Sequence, residues 1–267
     1  MVPDISLADD LALALRAAEI ADAVSLPGFQ QRGFTVERKA DKSEVTELDR
    51  NTELAVSNLL RSERPTYSFY GEEHGVVGPS GATLQWVVDP IDGTSNFVRG
   101  VPVWATLIAL VHDGEPVLGV VSAPALGLRW WAARGLGAHH AAGPTSQPMH
   151  VSDVAELRHA SASITVTESW HKVGKTTQLD VLQRGVARLR NYGDFWQHML
   201  VAQGAVDFAI DGIGLGPYDI AAIAAIITEA GGTWSNRHGE ADWRSDSLIT
   251  SNGRLHSIVT NDLGGRP

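Results

Sequence analysis

The chain contains no cysteine, so disulfides, a thiol nucleophile and cysteine-ligated zinc are all excluded. Positive charge is scarce too: 21 Lys and Arg stand against 31 Asp and Glu, a formal net charge of −10. Such a surface repels nucleic-acid polymers and anionic membranes, so any phosphate must be held locally, by metals or helix N-termini. Long apolar runs are missing. Met1 to Asp10 has no basic segment leading into an apolar stretch, and nothing later approaches membrane-spanning length, so cytoplasmic residence is the default expectation. What the chain does have is 43% hydrophobic residues over 267 positions, enough for a sizeable core.

Apolar residues recur at helical spacing after Ser6 (Leu7, Leu11, Leu15, Ala18, Ala21), with Ser6 and Asp9 as a capping pair. A second helix is expected from about Thr46, carrying Leu48, Leu54, Val56, Leu59 and Leu60 and stopping near Pro65. Residues 85–89, 103–112, 115–123 and 128–133 read as strands, with Asp113-Gly114 turning a hairpin between the middle two. The first half, about residues 1–145, thus reads as helices covering a largely antiparallel sheet. The second, about 146–267, alternates. It offers an apolar segment at 162–166, a charged helix through Leu179–Leu189, a helix around Phe195–Gln203 and an apolar helix Ile220–Ala230 stopped by Gly231-Gly232. Short closing strands are expected near 248–250 and 257–259. Gly143 to Pro148 is the expected exposed connection between the halves, within a single domain spanning 1–267.

Chemistry concentrates where elements end. Trp86-Val87-Val88-Asp89-Pro90-Ile91-Asp92-Gly93-Thr94 is an apolar strand that closes on two acids three residues apart. Pro90 is expected to stop the strand, so that both carboxylates turn toward one point instead of alternating faces. Hard divalent cations need such oxygen clusters. Gly93 permits an unusual backbone conformation, and Thr94 or Ser95 would begin a helical turn whose free N–H groups face a phosphate. Taken alone, Asp-Gly reads most often as a surface turn and Thr94 as a plain cap. Two further segments repeat the theme. Thr66 to Glu73 is a short strand ending in Gly71-Glu72-Glu73, and Val206 to Asp211 runs through a glycine-rich loop into Pro217-Tyr218-Asp219 at the head of an apolar helix.

Gly71-Glu72-Glu73, Asp89-Pro90-Ile91-Asp92-Gly93-Thr94 and Tyr218-Asp219-Ile220-Ala221-Ala222 resemble, in order and spacing, the motifs of the inositol monophosphatase superfamily, magnesium-dependent and typically lithium-sensitive phosphomonoesterases. Asn96 to Ala105, Ser122 to Ala125, Arg129 to Ala132, Asn191 to Phe195 and Leu200-Val201-Ala202 are most similar to the actinobacterial histidinol-phosphate phosphatases within it. The resemblance implies an α+β fold, the layered αβαβα sandwich of the inositol monophosphatase and fructose-1,6-bisphosphatase type. It also implies a homodimer.

By matching motifs, Glu72, Asp89 and the Ile91 carbonyl would hold one Mg²⁺, and Asp89, Asp92 and Asp219 a second, with Asp89 as the bridge. Some relatives use a third ion, and Mn²⁺ is a substitute. Paired ions roughly 3.5–4 Å apart can stabilise both the attacking and the leaving oxygen of an in-line displacement. The nucleophile implied is metal-activated water, oriented by Thr94 and Asp49; Asp92 and Glu73 complete the catalytic set. Gly93, Thr94 and Ser95 would hold phosphate oxygens, while Lys39, Asn96, Asp194 and Asp211 would contact substrate. Read from the residues themselves, Asp49 equally completes a capping box with Thr46 and Asp194 equally caps the helix at Phe195, while Asp219 suits a helix N-terminus but its distance from Gly231-Gly232 and its Tyr-Asp-Ile-Ala-Ala context favour the metal role.

Three positions depart from the pattern: Tyr218 replaces the usual Trp, Ser95 the Lys common in the histidinol-phosphate branch, and Gly212 a substrate-contacting Glu, so that either Asp211, one residue away, recovers that contact or a different alcohol is bound. The expected function is Mg²⁺-dependent hydrolysis of a small-molecule phosphate ester, L-histidinol phosphate first. The alternatives are an inositol, sugar or nucleotide monophosphate, and, more remotely, a non-catalytic phosphate-ligand-binding regulator. Gly174-Lys175-Thr176 lacks the earlier glycine of a P-loop, and His139-His140 has no third ligand at metal spacing, so a polar loop and a surface pair are expected. Arg184, Arg188 and Arg190 read as one solvated helix face.

Overall fold

Ser6 opens the first helix as expected: its hydroxyl accepts from the Asp9 N–H at 3.3 Å, and α1 (Leu7–Gln31) follows. The structure, a computed structural model, describes residues 6–39 and 43–264. A small hairpin, β1 (Val36–Arg38) and β2 (Glu44–Thr46), leads into α2 (Glu47–Glu63). Next come β3 (Ser68–Gly71), β4 (Gly75–Val77), β5 (Leu84–Asp92) and the short α3 (Thr94–Arg99). A meander follows through β6 (Ala105–His112), β7 (Glu115–Ala123), β8 (Leu128–Ala133), β9 (Gly137–Ala142) and β10 (Thr145–Pro148). These strands form one sheet of order β10-β9-β8-β7-β6-β5-β3-β4, antiparallel except for β3 on β5.

The remaining chain supplies β11 (Ser161–Ile164), α4 (Glu168–Lys172), α5 (Thr176–Gly185), β12 (Arg188–Arg190), α6 (Asp194–Ala202) and β13 (Phe208–Ile210). It closes with α7 (Pro217–Glu229), β14 (Thr233–Ser235), β15 (Ile249–Ser251) and α8 (His256–Gly264). Its five strands make a second sheet of order β12-β11-β13-β15-β14.

Three cores define the layers. Leu13, Ala17 and Ala21 of α1 and Val56 and Leu60 of α2 pack on one face of the large sheet with Trp86, Val88 and Ile108. Its other face meets α6 and α7, whose residues Ile220 to Ile227 are all buried. A helix apolar on every side belongs between two layers, and that is where α7 lies. Gly119 of β7 lets it approach: a Cβ there would sit 2.2 Å from the Ala222 carbonyl oxygen. The second sheet then packs on α5 and α8 through Leu179, Leu182, Phe208, Ile249 and Val259. The result is the expected αβαβα sandwich. Among the described residues no helix is long and apolar enough to cross a membrane.

Three expectations fail for identifiable reasons. The 143–148 segment is exposed, but Thr145–Pro148 is an edge strand paired with β9, its alternation invisible because both faces are polar. The charged helix ends at Gly185, and Arg188–Arg190 forms edge strand β12, so the three arginines do not share a helix face. Residues 257–259 are helical, since Leu255, Val259 and Leu263 recur at helical spacing into the core. Leu54 is carried by α2 as expected, on its solvent side, 51% exposed.

Candidate active site

Pro90 does not stop its strand. β5 continues to Asp92, but its pairing with β6 slips from Asp89 opposite Leu107 to Asp92 opposite Ala105, one residue more on β5 than on its partner. Pro90 has no N–H for the ladder, and its carbonyl accepts instead from the Thr106 hydroxyl at 2.8 Å. The bulge cancels the alternation that would place residues three apart on opposite faces, and so brings Asp89 and Asp92 to one side. Below it, Ile91, Phe97 and Trp104 are buried against Leu26, Phe29, Phe34 and Leu48, with the Phe97 and Trp104 rings edge to face at 4.9 Å. That plug fixes α3. Gly93 joins β5 to it at φ 82°, where a Cβ would approach the Val103 carbonyl to 3.0 Å.

One carboxylate oxygen from each of Asp89, Asp92 and Asp219 lies within 4.8 Å of the others. The elements hold each acid by backbone N–H groups: Ile91 donates to Asp89 at 2.9 Å, Phe195 to Asp92 at 2.8 Å and Gly216 to Asp219 at 2.6 Å. Asp219 therefore serves the head of α7 and the cluster together. Asp49 is also doubly used. One oxygen accepts from the Thr46 N–H and hydroxyl, the capping box, while the other lies 3.2 Å from the Thr94 hydroxyl. The same hydroxyl is 3.0 Å from the Ile91 carbonyl oxygen.

Glu72 and Glu73 face the Lys39 ammonium, at 2.8 and 2.6 Å. Lys39, expected at the substrate, is thus held among the acids. Sequence reasoning missed the residue that sets this turn. Glu53 is fully buried on α2, accepts from the Glu73 and His74 N–H groups at 2.7 and 2.9 Å, and meets the His74 ring at 2.8 Å. Gly71 makes room, since a Cβ there would lie 2.2 Å from the Glu53 carboxyl carbon. An acid on an amphipathic helix reads as a solvated face, and only the neighbouring Gly71 signals the close approach. Glu53→Gln removes an acceptor from this turn and is expected to cost about 1–3 kcal/mol, read as a lower urea midpoint; an unchanged midpoint would show that the contact does not hold the turn.

On the other side of the cluster, Asn96 donates to the Val103 carbonyl at 2.9 Å and to Asp194 at 2.7 Å. Asp194 is the first residue of α6, at φ 46°, and its carboxylate goes to Asn96, so it is not the helix cap. A non-glycine residue held in the left-handed region is a strain that the surroundings must maintain. Asp211 is buried, accepting from the Gly212 N–H at 2.7 Å and lying 3.2 Å from the ring of buried His198. A Cβ at Gly212 would stand 3.0 Å from the Thr167 methyl, so the site has no room for the usual Glu without a shift. Tyr218 meets Tyr70 edge to face at 6.2 Å and covers Gly216. Ser95 is exposed, and its hydroxyl donates to Glu44 at 3.0 Å.

The electrostatics follow from burial. Desolvation, then the charges of Glu72, Asp219 and Asp92, push Asp89 well above the usual carboxylate range. Desolvation with Asp194 and Asp219 does the same to Asp92. Burial raises Asp219 to about 6 and Asp194 to about 6, and it lifts Glu72 to about 7 against the opposing pull of Lys39. Asp49 is raised by burial as well. Oxygen-only donors crowded this closely suit a hard divalent cation, which would restore their ionised forms.

A model of the inositol monophosphatase family matches residues 7–264. The chain is 44% identical to a histidinol-phosphatase of Streptomyces coelicolor over 97% of its own length and 98% of the relative's. It is also 44% identical to a histidinol-phosphatase of Mycobacterium tuberculosis, over 96% and 98%. Among solved structures, an IMPase of Thermotoga maritima superposes with a TM-score of 0.83 at 30% identity, covering 96% of this chain and 97% of that one.

Proposed function

The chain belongs to the inositol monophosphatase family, and from that premise we propose that it hydrolyses a small alcohol phosphate, L-histidinol phosphate before others, in a Mg²⁺-dependent reaction. The observation that carries this reading is the convergence of Asp89, Asp92 and Asp219 beside the Asp49 and Thr94 pair. Glu72, Asp89, Asp92, Asp219 and the Ile91 carbonyl would hold two or three Mg²⁺ ions, or Mn²⁺ in their place. When bound, the ions neutralise the phosphoryl oxygens and lower the pKa of an attacking water.

The chain's own groups do the rest. With its proton directed at Asp49, the Thr94 hydroxyl oxygen accepts from the attacking water and aims it in line with the phosphorus. The N–H groups at Gly93, Thr94 and Ser95, at the start of α3 where intrahelical acceptors are absent, orient the phosphoryl oxygens. Asp194, fixed by Asn96, faces a substrate amine or hydroxyl, and Lys39 balances Glu72 and Glu73 at the entrance. The substrate is supported by the likeness to two bacterial histidinol-phosphatases at 44% identity over nearly the whole chain. Comparing kcat/KM for L-histidinol phosphate, inositol 1-phosphate, a sugar phosphate and a nucleotide monophosphate tests it. Preference for histidinol phosphate is expected; preference for another ester would reassign the substrate.

The acids also make metal binding depend on pH. Groups raised in the fold keep protons that the unfolded chain releases near 4, so their ionisation destabilises the metal-free fold as pH rises toward about 7. A divalent cation removes that penalty. The rise in Tm on adding Mg²⁺ is therefore expected to be larger at pH 8 than at pH 5, and an equal rise at both would contradict the assignment.

A further inference from the structure

His198 sits in the middle of α6, fully buried, and neither the cation site nor the phosphate contacts use it. Both of its ring nitrogens are engaged. Nδ1 lies 2.8 Å from the hydroxyl of buried Thr250, and Nε2 lies 3.2 Å from Asp211 Oδ2. Thr250 stands opposite Ala209 in the pairing of β15 with β13, so the strand beside the one that leads to Asp211 anchors the far end of the ring. A carboxylate oxygen only accepts, which makes Nε2 the donor toward Asp211.

Asp211 is held on several sides. Its Oδ1 accepts from the Gly212 N–H at 2.7 Å, its own N–H donates to the Leu248 carbonyl at 3.0 Å, and its carbonyl accepts from the Trp170 indole at 3.0 Å. The backbone is thus pinned, and the Gly212 and His198 donors together set where the carboxylate points. Its side chain keeps 12% exposure, and each oxygen has a further lone pair for a ligand. The charge of Asp211 is felt in the site: it follows only burial among the causes that raise Asp194 to about 6, and it acts on Asp219 and Asp92 as well. Two carboxylates that repel each other are relieved by a cation between them. Asp194 and His198, four residues apart, share a face of α6, so a single helix turn carries one of these acids and steers the other.

We propose that His198 is a positioning residue: it aims Asp211 so that this carboxylate, together with Asp194, receives the ammonium of an amino-alcohol phosphate. This role rests on the substrate reading given above and deepens it, because selectivity for the amine is then built by a ring too buried to touch the substrate.

Steady-state kinetics with L-histidinol phosphate and its deamino analogue, 3-(imidazol-4-yl)propyl phosphate, test this. His198→Phe keeps a ring and removes both nitrogens. It should raise KM for L-histidinol phosphate about tenfold at nearly constant kcat, and leave KM for the analogue within about twofold. His198→Gln, whose amide N–H can replace that of Nε2, should return KM to within about threefold of wild type. Asp211→Asn should raise the same KM, and adding His198→Phe to it should raise it no further. Where His198→Phe does not fold, Thr250→Val decides: it frees the far end of the ring and should raise KM about threefold for the amine-bearing ester alone. Equal rises for both esters would make His198 a packing residue and overturn the proposal, as would an unchanged KM or additive effects in the double variant. A wild type that does not distinguish the two esters would remove the substrate reading as well. A preference that persists in His198→Phe would remove His198 alone.

Discussion

Asp92→Asn should lower phosphate release by about three orders of magnitude or more, a loss of about 4 kcal/mol in transition-state stabilisation, while the protein remains folded. The two halves of this expectation have separate causes. Function suffers because Asp92 contributes one of the three oxygens that converge within 4.8 Å, and an amide oxygen is a much weaker partner for a hard cation. The fold does not suffer, because the Phe195 N–H that Asp92 accepts at 2.8 Å can be accepted by the amide oxygen of Asn. Removing one charge also relieves its repulsion with Asp194 and Asp219. The metal-free variant should therefore melt no lower than the metal-free wild type at pH 8. Activity assays paired with melting curves check both parts. Retained turnover would remove Asp92 from the metal site, and a collapsed Tm would make it a structural residue.

Thr94→Val should reduce kcat by about 10²- to 10⁴-fold, the usual range for a positioned proton-handling group, with little change in KM. Valine preserves the shape of the side chain and removes only the hydroxyl that lies 3.2 Å from Asp49 and 3.0 Å from the Ile91 carbonyl. Asp49 stays in place through its 2.8 and 2.6 Å contacts with Thr46, so the capping box and α2 should persist. The stability change should remain at about 1 kcal/mol. Steady-state kinetics with a urea titration separate the roles. A rise in KM at constant kcat would make Thr94 a binding residue instead of one that aims the attacking water.

The acids of this site were legible because glycine and proline punctuate them. Gly71, Gly93 and Gly216 each stand where backbone or a side chain passes too closely for a Cβ, or where φ is positive, and the acids beside them fall at element ends. The main helices of the sandwich followed from apolar spacing alone. What sequence could not give was the mechanism of convergence: Pro90 suggested a strand end, and only the register against β6 reveals the bulge. Asp49 posed a choice between capping and chemistry that pattern reasoning had to leave open, whereas the context of Asp219 already favoured the metal role over a plain helix N-terminus. The structure gives each acid both contacts: Asp219 accepts from Gly216 at the head of α7 while it converges with Asp89 and Asp92, and Asp49 completes its capping box with one oxygen while the other meets Thr94. Glu53 was hidden for a different reason. Its partners are backbone N–H groups some twenty positions away, and no local pattern encodes them. The edge strands β10 and β12 were missed because their side chains are mostly exposed and carry no apolar alternation.

The most direct test of the central claim is phosphate release from L-histidinol phosphate by the chain stripped of metal with chelator and then titrated with Mg²⁺. Turnover should be absent after stripping and return as Mg²⁺ is added, because on the proposed reading Asp89, Asp92 and Asp219, whose oxygens converge within 4.8 Å, serve to hold the cation. Full turnover in the presence of chelator would contradict the account.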